Sequence, residues 1–224
     1  MRTFLLPALL LTAGSAPAAL WTASDNTVSV ILDGSSSGLA RSLPINTAGE
    51  FVLSVEVELS LSAPPGGTAF LGDLYVYLTN GTDLAVLVNR PGRRDGAPAG
   101  YADNQSMNVT FSSVPGTDFH NYRLTATGSN TVALTGPVIG IWEADGRATD
   151  PATVLDTDLR TAGLNVFQNT PADGTWSLFA ADLSSGGTHQ INSWSLAINT
   201  IPEPGTSTLA CLTLAALAHR RRKC

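Results

Sequence analysis

Two tryptophan-bearing segments near the carboxyl end constrain the fold of this chain most strongly. Residues 173–198 read DGTWSLFAADLSSGGTHQINSWSLAI. In the first segment every second residue, including Trp176 and Leu178, points to the same side. The second segment repeats this pattern with Trp194 and Leu196. A period of two is typical of β strands. Serines and glycines fill the stretch between the segments and favour a loop. The pattern predicts two neighbouring strands whose indole rings anchor the core of a small sandwich.

Alternation of apolar and polar residues predicts β structure in most of the chain. Residues 50–61 alternate most regularly, and the pattern places Leu53 with Val55 on a buried face. Shorter extended segments are predicted at residues 27–32, 39–45, 73–78, 84–89, 107–111, 119–126 and 132–142, with one helical turn in residues 152–164. The sequence therefore predicts an all-β fold, an antiparallel β-sandwich or jelly roll with about eight or nine strands.

The amino-terminal residues 1–18 have the three parts of a secretory signal. Arg2 supplies a positive start, residues 4–11 form an apolar core, and small residues at 16–18 offer a cleavage site. A buried amino-terminal strand is the alternative. We expect an exported protein whose main domain covers residues 19–200.

The carboxyl-terminal residues 201–224 form a second signal. Pro202, Glu203 and Pro204 precede an apolar run, which is followed by a basic cluster at residues 219–223. This order resembles the bacterial PEP-CTERM sorting signal. The resemblance implies an exosortase-type processing enzyme, transient membrane anchoring, and delivery to the cell envelope, cell surface or extracellular matrix. A plain membrane anchor is the alternative, although the apolar run is shorter than the roughly 20 residues that span a bilayer.

Charge and cysteine content narrow the possible partners of the main domain. Residues 19–200 contain seven arginines and no lysine against seventeen acidic residues, a net charge of −10 with histidine neutral. Nucleic-acid binding needs a basic surface and is therefore not expected, whereas divalent cations or basic partners are favoured. Cys211 and Cys224 both lie in the tail, so no disulfide is predicted within the main domain.

Several runs between residues 33 and 198 resemble the P domain, or Homo B domain, of subtilisin-like proprotein convertases. GTWSLFAAD and NSWSLAI resemble its final signature, and an upstream run comprises Gly72-Asp73-Leu74, a hydrophobic strand, Asn80-Gly81-Thr82 and Leu87-Val88-Asn89-Arg90. The family's P domain is a β-sandwich that follows a separate catalytic domain, so the resemblance implies a jelly roll of the galactose-binding-like type. The resemblance therefore implies no catalytic residue in this chain.

The chemistry-bearing residues favour a non-catalytic chain. His120 and His189 are the only histidines of residues 19–200, and both lie in polar stretches that predict exposed loops. No serine-nucleophile motif accompanies them. A hydrolase with an unrecognised site that uses these histidines is the alternative.

Calcium is the one cofactor that the sequence leaves open. Asp73, Asp173 and Asp182 are the candidate ligands, since they could meet at one end of a sandwich and calcium prefers carboxylate oxygens. A second group of aspartates occurs in residues 145–158. The alternative is that these carboxylates are solvated or accept backbone hydrogen bonds at turns.

Aromatic side chains offer a different kind of site. Exposed aromatic rings in jelly rolls often hold sugars, and we select Trp142 and Tyr101 as candidate ligand aromatics, with Tyr75, Tyr77 and Trp21 also available. Half-buried packing is the alternative for each. The leading functional hypothesis is an exported, non-catalytic binding or structural module of the envelope or exopolysaccharide matrix. The alternative is an accessory P domain that supports a separate subtilisin-like serine endopeptidase.

Overall fold

Ten β strands in two stacked sheets form the framework of residues 18–201, the part of the chain that the computed structural model describes. The predicted all-β sandwich is confirmed. The secretory signal and the sorting tail, including Pro202, Glu203 and Pro204, fall outside the described residues and stay predictions. Within residues 18–201, no helix has the length and apolar character needed to cross a membrane.

The larger sheet has six strands in the order β1-β10-β4-β7-β8, with the short β2 also paired to β10. All its pairs are antiparallel except β7 with β8, which run parallel. Its strands are β1 (Ala19–Asp25), β2 (Ser29–Val30), β4 (Phe51–Ser62), β7 (Met107–Ser112), β8 (Val138–Glu143) and β10 (Gln190–Ile201).

The smaller sheet has four antiparallel strands in the order β3-β9-β5-β6. The predicted Asn-Gly hairpin joins β5 to β6, and the Asn80 side chain accepts hydrogen bonds from the backbone N–H groups of Thr82 and Asp83 at 3.1 and 2.8 Å. The strands of this smaller sheet are β3 (Ser35–Ile45), β5 (Leu74–Thr79), β6 (Leu84–Asn89) and β9 (Gly174–Asp182).

The two tryptophan strands belong to different sheets, which corrects the prediction that they are neighbours. Trp176 lies on β9 in the smaller sheet and Trp194 on β10 in the larger one, and both rings are buried. Trp176 packs edge-on against Phe167, with ring centroids 4.8 Å apart, and its indole N–H donates to the Ala172 carbonyl at 2.9 Å. Each tryptophan thus fills the core from its own layer, as sandwich packing requires.

A β-bulge reverses the predicted face at the start of β4. Val52 is fully buried, whereas Leu53 is 41% exposed, and the pairing with β10 shifts register between Asn199 and Thr200. An extra residue in one strand turns the following side chains to the other face. From Val55 onward the predicted buried face is correct.

The amino-terminal strands differ from the sequence expectation. Strand β1 was not predicted, and only two residues of the predicted strand at 27–32 pair with β10. Ile31 is the buried residue of this stretch, while Val28 and Val30 are more than half exposed. An edge segment with two paired residues has too few neighbours to cover its apolar side chains.

Residues 119–126, predicted as extended, instead form helical turns. A 3-10 helix (Phe119–Asn121) leads into helix α1 (Tyr122–Thr127). The Asp118 side chain accepts a hydrogen bond from the His120 backbone N–H at 2.9 Å, and Gly128 ends α1 with a φ of 75°. An aspartate before and a glycine after a helix are ordinary caps. Of the segment predicted at 132–142, only residues 138–142 form a strand, as part of β8. The helical turn predicted in residues 152–164 is wrong for nearly all of that stretch, since a 3-10 helix begins only at its last residue (Leu164–Phe167).

Candidate functional site

The Gly-Asp-Leu run and Arg90 come together where β5 begins and β6 ends. The Arg90 Nε donates to the Gly72 carbonyl at 3.1 Å, and its Nη2 donates to Asp73 Oδ1 at 3.2 Å and Ser184 Oγ at 2.7 Å. Position 72 needs glycine because a Cβ there would lie 2.6 Å from the backbone N and O of Tyr101. These residues form a buried clasp, which we call the Arg90 clasp.

Arg90 is held in an unusual backbone conformation. Its φ is 46°, in the left-handed region that non-glycine residues rarely adopt. Burial and the charge of Arg93 lower the pKa of Arg90, although Asp73 opposes this shift. Burial likewise raises the pKa of Asp73. Because the third guanidinium nitrogen, Nη1, has no hydrogen-bond partner within residues 18–201, this rigid cation keeps a donor for a ligand.

His189 lies beside the Arg90 clasp and is buried, so the prediction of an exposed loop histidine is wrong. Its Nδ1 and Asp182 Oδ2 are 2.6 Å apart, and both side chains are 1% exposed. The backbone holds it there because the His189 carbonyl accepts from the Ile31 N–H at 2.8 Å and the preceding Thr188 N–H donates to Thr68 at 2.7 Å. In the described part of the chain, His189 Nε2 and Asp182 Oδ1 have no partner.

His120 is also buried, which corrects the second prediction of an exposed histidine. Its Nδ1 lies 2.8 Å from Asp145 Oδ2 and its Nε2 lies 2.9 Å from the Arg93 carbonyl oxygen. A carbonyl and a carboxylate only accept, so both ring nitrogens carry protons and the ring is an imidazolium. Burial works against this charge, but the bonds to Asp145 and Arg93 outweigh it and raise the pKa of His120. No ring nitrogen remains for catalysis.

The three aspartates selected as calcium ligands do not meet. Asp182 pairs with Leu74, the residue after Asp73. Asp173 precedes the other end of the nine-residue strand β9, about 30 Å from Asp182 at about 3.3 Å per residue. Asp173 instead accepts hydrogen bonds from Thr47 and from the Gly49 N–H, and these lower its pKa. Among residues 18–201, no group of three or more His, Cys, Asp or Glu side chains is placed to hold a metal ion.

Tyr101 and Trp142 are buried, so the expectation that they form exposed stacking surfaces is wrong. Tyr101 is 1% exposed and has the Arg123 guanidinium 4.6 Å from its ring centroid. Trp142 is 7% exposed, packs edge-on against Phe119, and donates its indole N–H to the Ile139 carbonyl at 3.0 Å. The long segment around α1 closes over both rings and draws them into the core.

A different set of aromatic rings lies on the outer face of the smaller sheet. Tyr75 and Tyr77 on β5 and Phe179 on β9 are half-buried, while the residues between them along each strand are buried. Tyr77 stacks on Phe179 with centroids 4.8 Å apart and an interplanar angle of 18°, and Tyr75 lies 5.8 Å from Tyr77. We call these three side chains the aromatic row. Tyrosines at every second position of a strand, alternating with Val and Leu, were the sequence signal for it.

A cleft of about 420 Å³ opens at the Tyr75 end of the aromatic row. Its walls include Tyr75, Phe179 and Leu183 as well as the charged residues Arg90 and Asp150. Asp150 is exposed, and its Oδ1 accepts a hydrogen bond from the Ala152 N–H at 2.7 Å. Mixed apolar walls with a few fixed polar groups, at this volume, are typical of small-ligand sites.

Comparisons with known proteins found few similarities. No family model and no curated protein match the chain. One similar solved structure is a complex of the Aeromonas sobria serine protease with a chaperone, at a TM-score of 0.45 and 16% identity over 84% of this chain and 28% of the matched chain. Another is the serine protease of Aeromonas sobria, at a TM-score of 0.44 and 17% identity over 83% of this chain and 27% of that chain. This chain thus spans less than a third of either matched chain.

Proposed function

We propose that this chain is an exported, non-catalytic module that binds polysaccharide of the cell envelope or extracellular matrix. The aromatic row on the outer face of the smaller sheet is the observation that carries the proposal. A sugar ring presents a C–H face that packs on an aromatic ring, and its hydroxyls bond to polar groups at the rim. Tyr75, Tyr77 and Phe179 supply the rings, and the adjoining cleft supplies the polar groups.

The two histidines support a non-catalytic role. Both ring nitrogens of His120 are bonded to acceptors, and His189 is buried against Asp182. A general base must reach the proton that it removes, which neither ring does in these positions.

Export rests on the two terminal signals. We propose that residues 1–18 direct secretion and that residues 201–224 act as a sorting tail processed by an exosortase-type enzyme after transient membrane anchoring. The net charge of −10 between residues 19 and 200 supports a partner other than nucleic acid.

Binding of the full-length protein to a panel of purified polysaccharides, measured by affinity electrophoresis, tests the proposal. Tyr77→Ala should weaken binding about tenfold, because an aromatic contact is worth about 1.5 kcal/mol. Trp21→Ala is the matched control, since Trp21 is a half-buried aromatic residue on the other sheet. Absence of binding by the wild type, or equal binding by Tyr77→Ala, would contradict the proposal.

The second candidate function is support of a separate subtilisin-like serine endopeptidase. It is favoured by the Arg90 clasp, since Gly72, Asp73 and Arg90 all belong to the run that resembles the P domain and the structure bonds them together. Mixing the full chain with a subtilisin-like protease and following the protease's thermal inactivation tests it. A longer half-life with co-elution supports this role, and an unchanged half-life without co-elution excludes it for that protease.

A further inference from the structure

The cleft beside the aromatic row holds two fixed polar groups of opposite charge that do not pair with each other. Arg90 forms its salt bridge with Asp73, and Asp150 takes part in no salt bridge within residues 18–201. Both residues nevertheless line the same cleft. A ligand that accepts from one group and donates to the other would fit between them.

Arg90 is positioned before any ligand arrives. Three side-chain hydrogen bonds fix its guanidinium, and its backbone N–H donates to the Leu74 carbonyl at 2.8 Å. The Nη1 atom, which has no hydrogen bond, is therefore fixed in position. The Arg90 side chain as a whole is 10% exposed. A donor held in this way loses little conformational entropy on binding.

Asp150 is fixed by its own loop. Its Oδ1 accepts from the Ala152 N–H at 2.7 Å, and its carbonyl accepts from the Thr153 and Val154 N–H groups, each at 2.9 Å. The neighbouring Thr149 carbonyl accepts from the Asn89 side chain at 2.9 Å, which ties this loop to the residue before Arg90. Asp150 Oδ2 is left as an acceptor without a partner in the described part of the chain.

The charges around the cleft select against acidic ligands. Asp73 already balances the charge of Arg90. Asp150 forms no ion pair, and the nearby Arg93, whose Nη2 donates to the carbonyl of the cleft residue Ala152 at 2.6 Å, offsets part of its charge. Residues 19–200 also carry a net charge of −10. A carboxylate or sulfate on the ligand would face Asp150 and the field of the whole domain, and both repel it.

We infer that this cleft binds a neutral sugar ring of the polysaccharide, with Arg90 Nη1 donating to one hydroxyl and Asp150 Oδ2 accepting from a neighbouring one. The C–H face of the ring packs on the aromatic walls that Tyr75 and Phe179 form. The inference rests on the proposed polysaccharide-binding function and adds the charge selectivity of the site. Arg90 and Asp150 are its specificity-determining residues.

Asp150→Asn provides the sharpest test. The amide oxygen can still accept from the Ala152 N–H, so the loop keeps its cap, while the free carboxylate oxygen is replaced by an amide donor. We expect this variant to bind neutral glucans, galactans or mannans about tenfold more weakly than the wild type does, because a hydrogen bond to a charged group is lost. Its binding to uronate polymers should become stronger, because one repulsive charge is gone.

The measurements use the full-length protein, affinity electrophoresis and matched neutral and uronate polymers, with thermal melting to confirm folding. Asp95→Asn is the control, since Asp95 is an exposed aspartate whose replacement removes the same charge outside the cleft. If the wild type prefers uronates, or if Asp150→Asn behaves like Asp95→Asn, the inference is overturned while the aromatic row can still bind polysaccharide. If the wild type binds no polymer in the panel, the proposed function itself fails.

Discussion

Two buried His–Asp pairs occur in this sandwich, and they differ in how completely their polar atoms are satisfied. His120 bonds through both ring nitrogens, and its partner Asp145 also accepts from the backbone N–H of Asn89 and from Arg147. His189 bonds through Nδ1 alone, and its partner Asp182 uses one oxygen. Within residues 18–201, the second pair leaves two buried atoms without partners.

The two buried carboxylates, Asp145 and Asp182, differ in how many parts of the fold they connect. The Asp145 carboxylate is the centre of a network that joins β6, the 3-10 helix before α1 and the segment after β8, because its partners come from all three. Removing one member of such a network leaves other charges buried and unpaired. The Asp182 pair joins β9 to the start of β10, and an unsatisfied buried polar atom costs about 1–3 kcal/mol.

The largest effect is expected from Asp145→Asn. Both Asp145 oxygens receive donors, so the new amide N–H₂ group must face one of those donors. His120 also loses its counter-ion, and Arg147 keeps only its ion pair with Asp118. The free energy of unfolding should fall by about 3–5 kcal/mol, measured by urea denaturation. A loss under about 1 kcal/mol would show that the network contributes little to stability.

A smaller effect is expected from Asp182→Asn, the same substitution in the other pair. Asp182 Oδ1 has no donor facing it in the described structure, so the amide N–H₂ group can occupy that position while Oδ1 of the asparagine keeps the bond to His189. The expected loss is about 1 kcal/mol by the same denaturation measurement. If both variants lost the same free energy of unfolding, the two pairs would not differ in their contribution to stability.

The pH dependence of stability tests whether the His120 ring is charged in the folded protein. The raised pKa of His120 in the folded state means that its contribution is fully present below its unfolded pKa of about 6.5 and is lost as pH rises through the folded value. The free energy of unfolding of the wild type should therefore decline as the pH rises above about 6.5, and it should decline less steeply in His120→Gln. NMR titration of the His120 ring should give a midpoint above about 6.5, and a midpoint below it would contradict the imidazolium assignment.

The long-range partners of these polar groups could not be read from the sequence. Asp145 and His120 are 25 positions apart in the sequence. Asp103 accepts hydrogen bonds from Tyr122 and Arg123, which lie about 20 positions further along the chain. A polar residue in a loop has the same local pattern whether it is solvated or buried against a distant partner. The prediction of exposed histidines failed for this reason, and so did the prediction that Tyr101 and Trp142 are exposed.

Alternation along the chain, by contrast, was sufficient to predict the all-β class and most strand positions, since side-chain direction in a strand follows from backbone geometry alone. β4, the β5–β6 hairpin, β9 and β10 lie close to where the sequence indicates them. The sequence did not determine which sheet each strand joins, because alternation is identical in either layer. The tertiary structure decided that β9 and β10 face each other across the core, that Asp173 is distant from Asp182, and that Tyr75, Tyr77 and Phe179 share one outer face. Those outcomes depend on hydrogen bonds and packing between residues far apart in the chain, and local patterns carry no information about them.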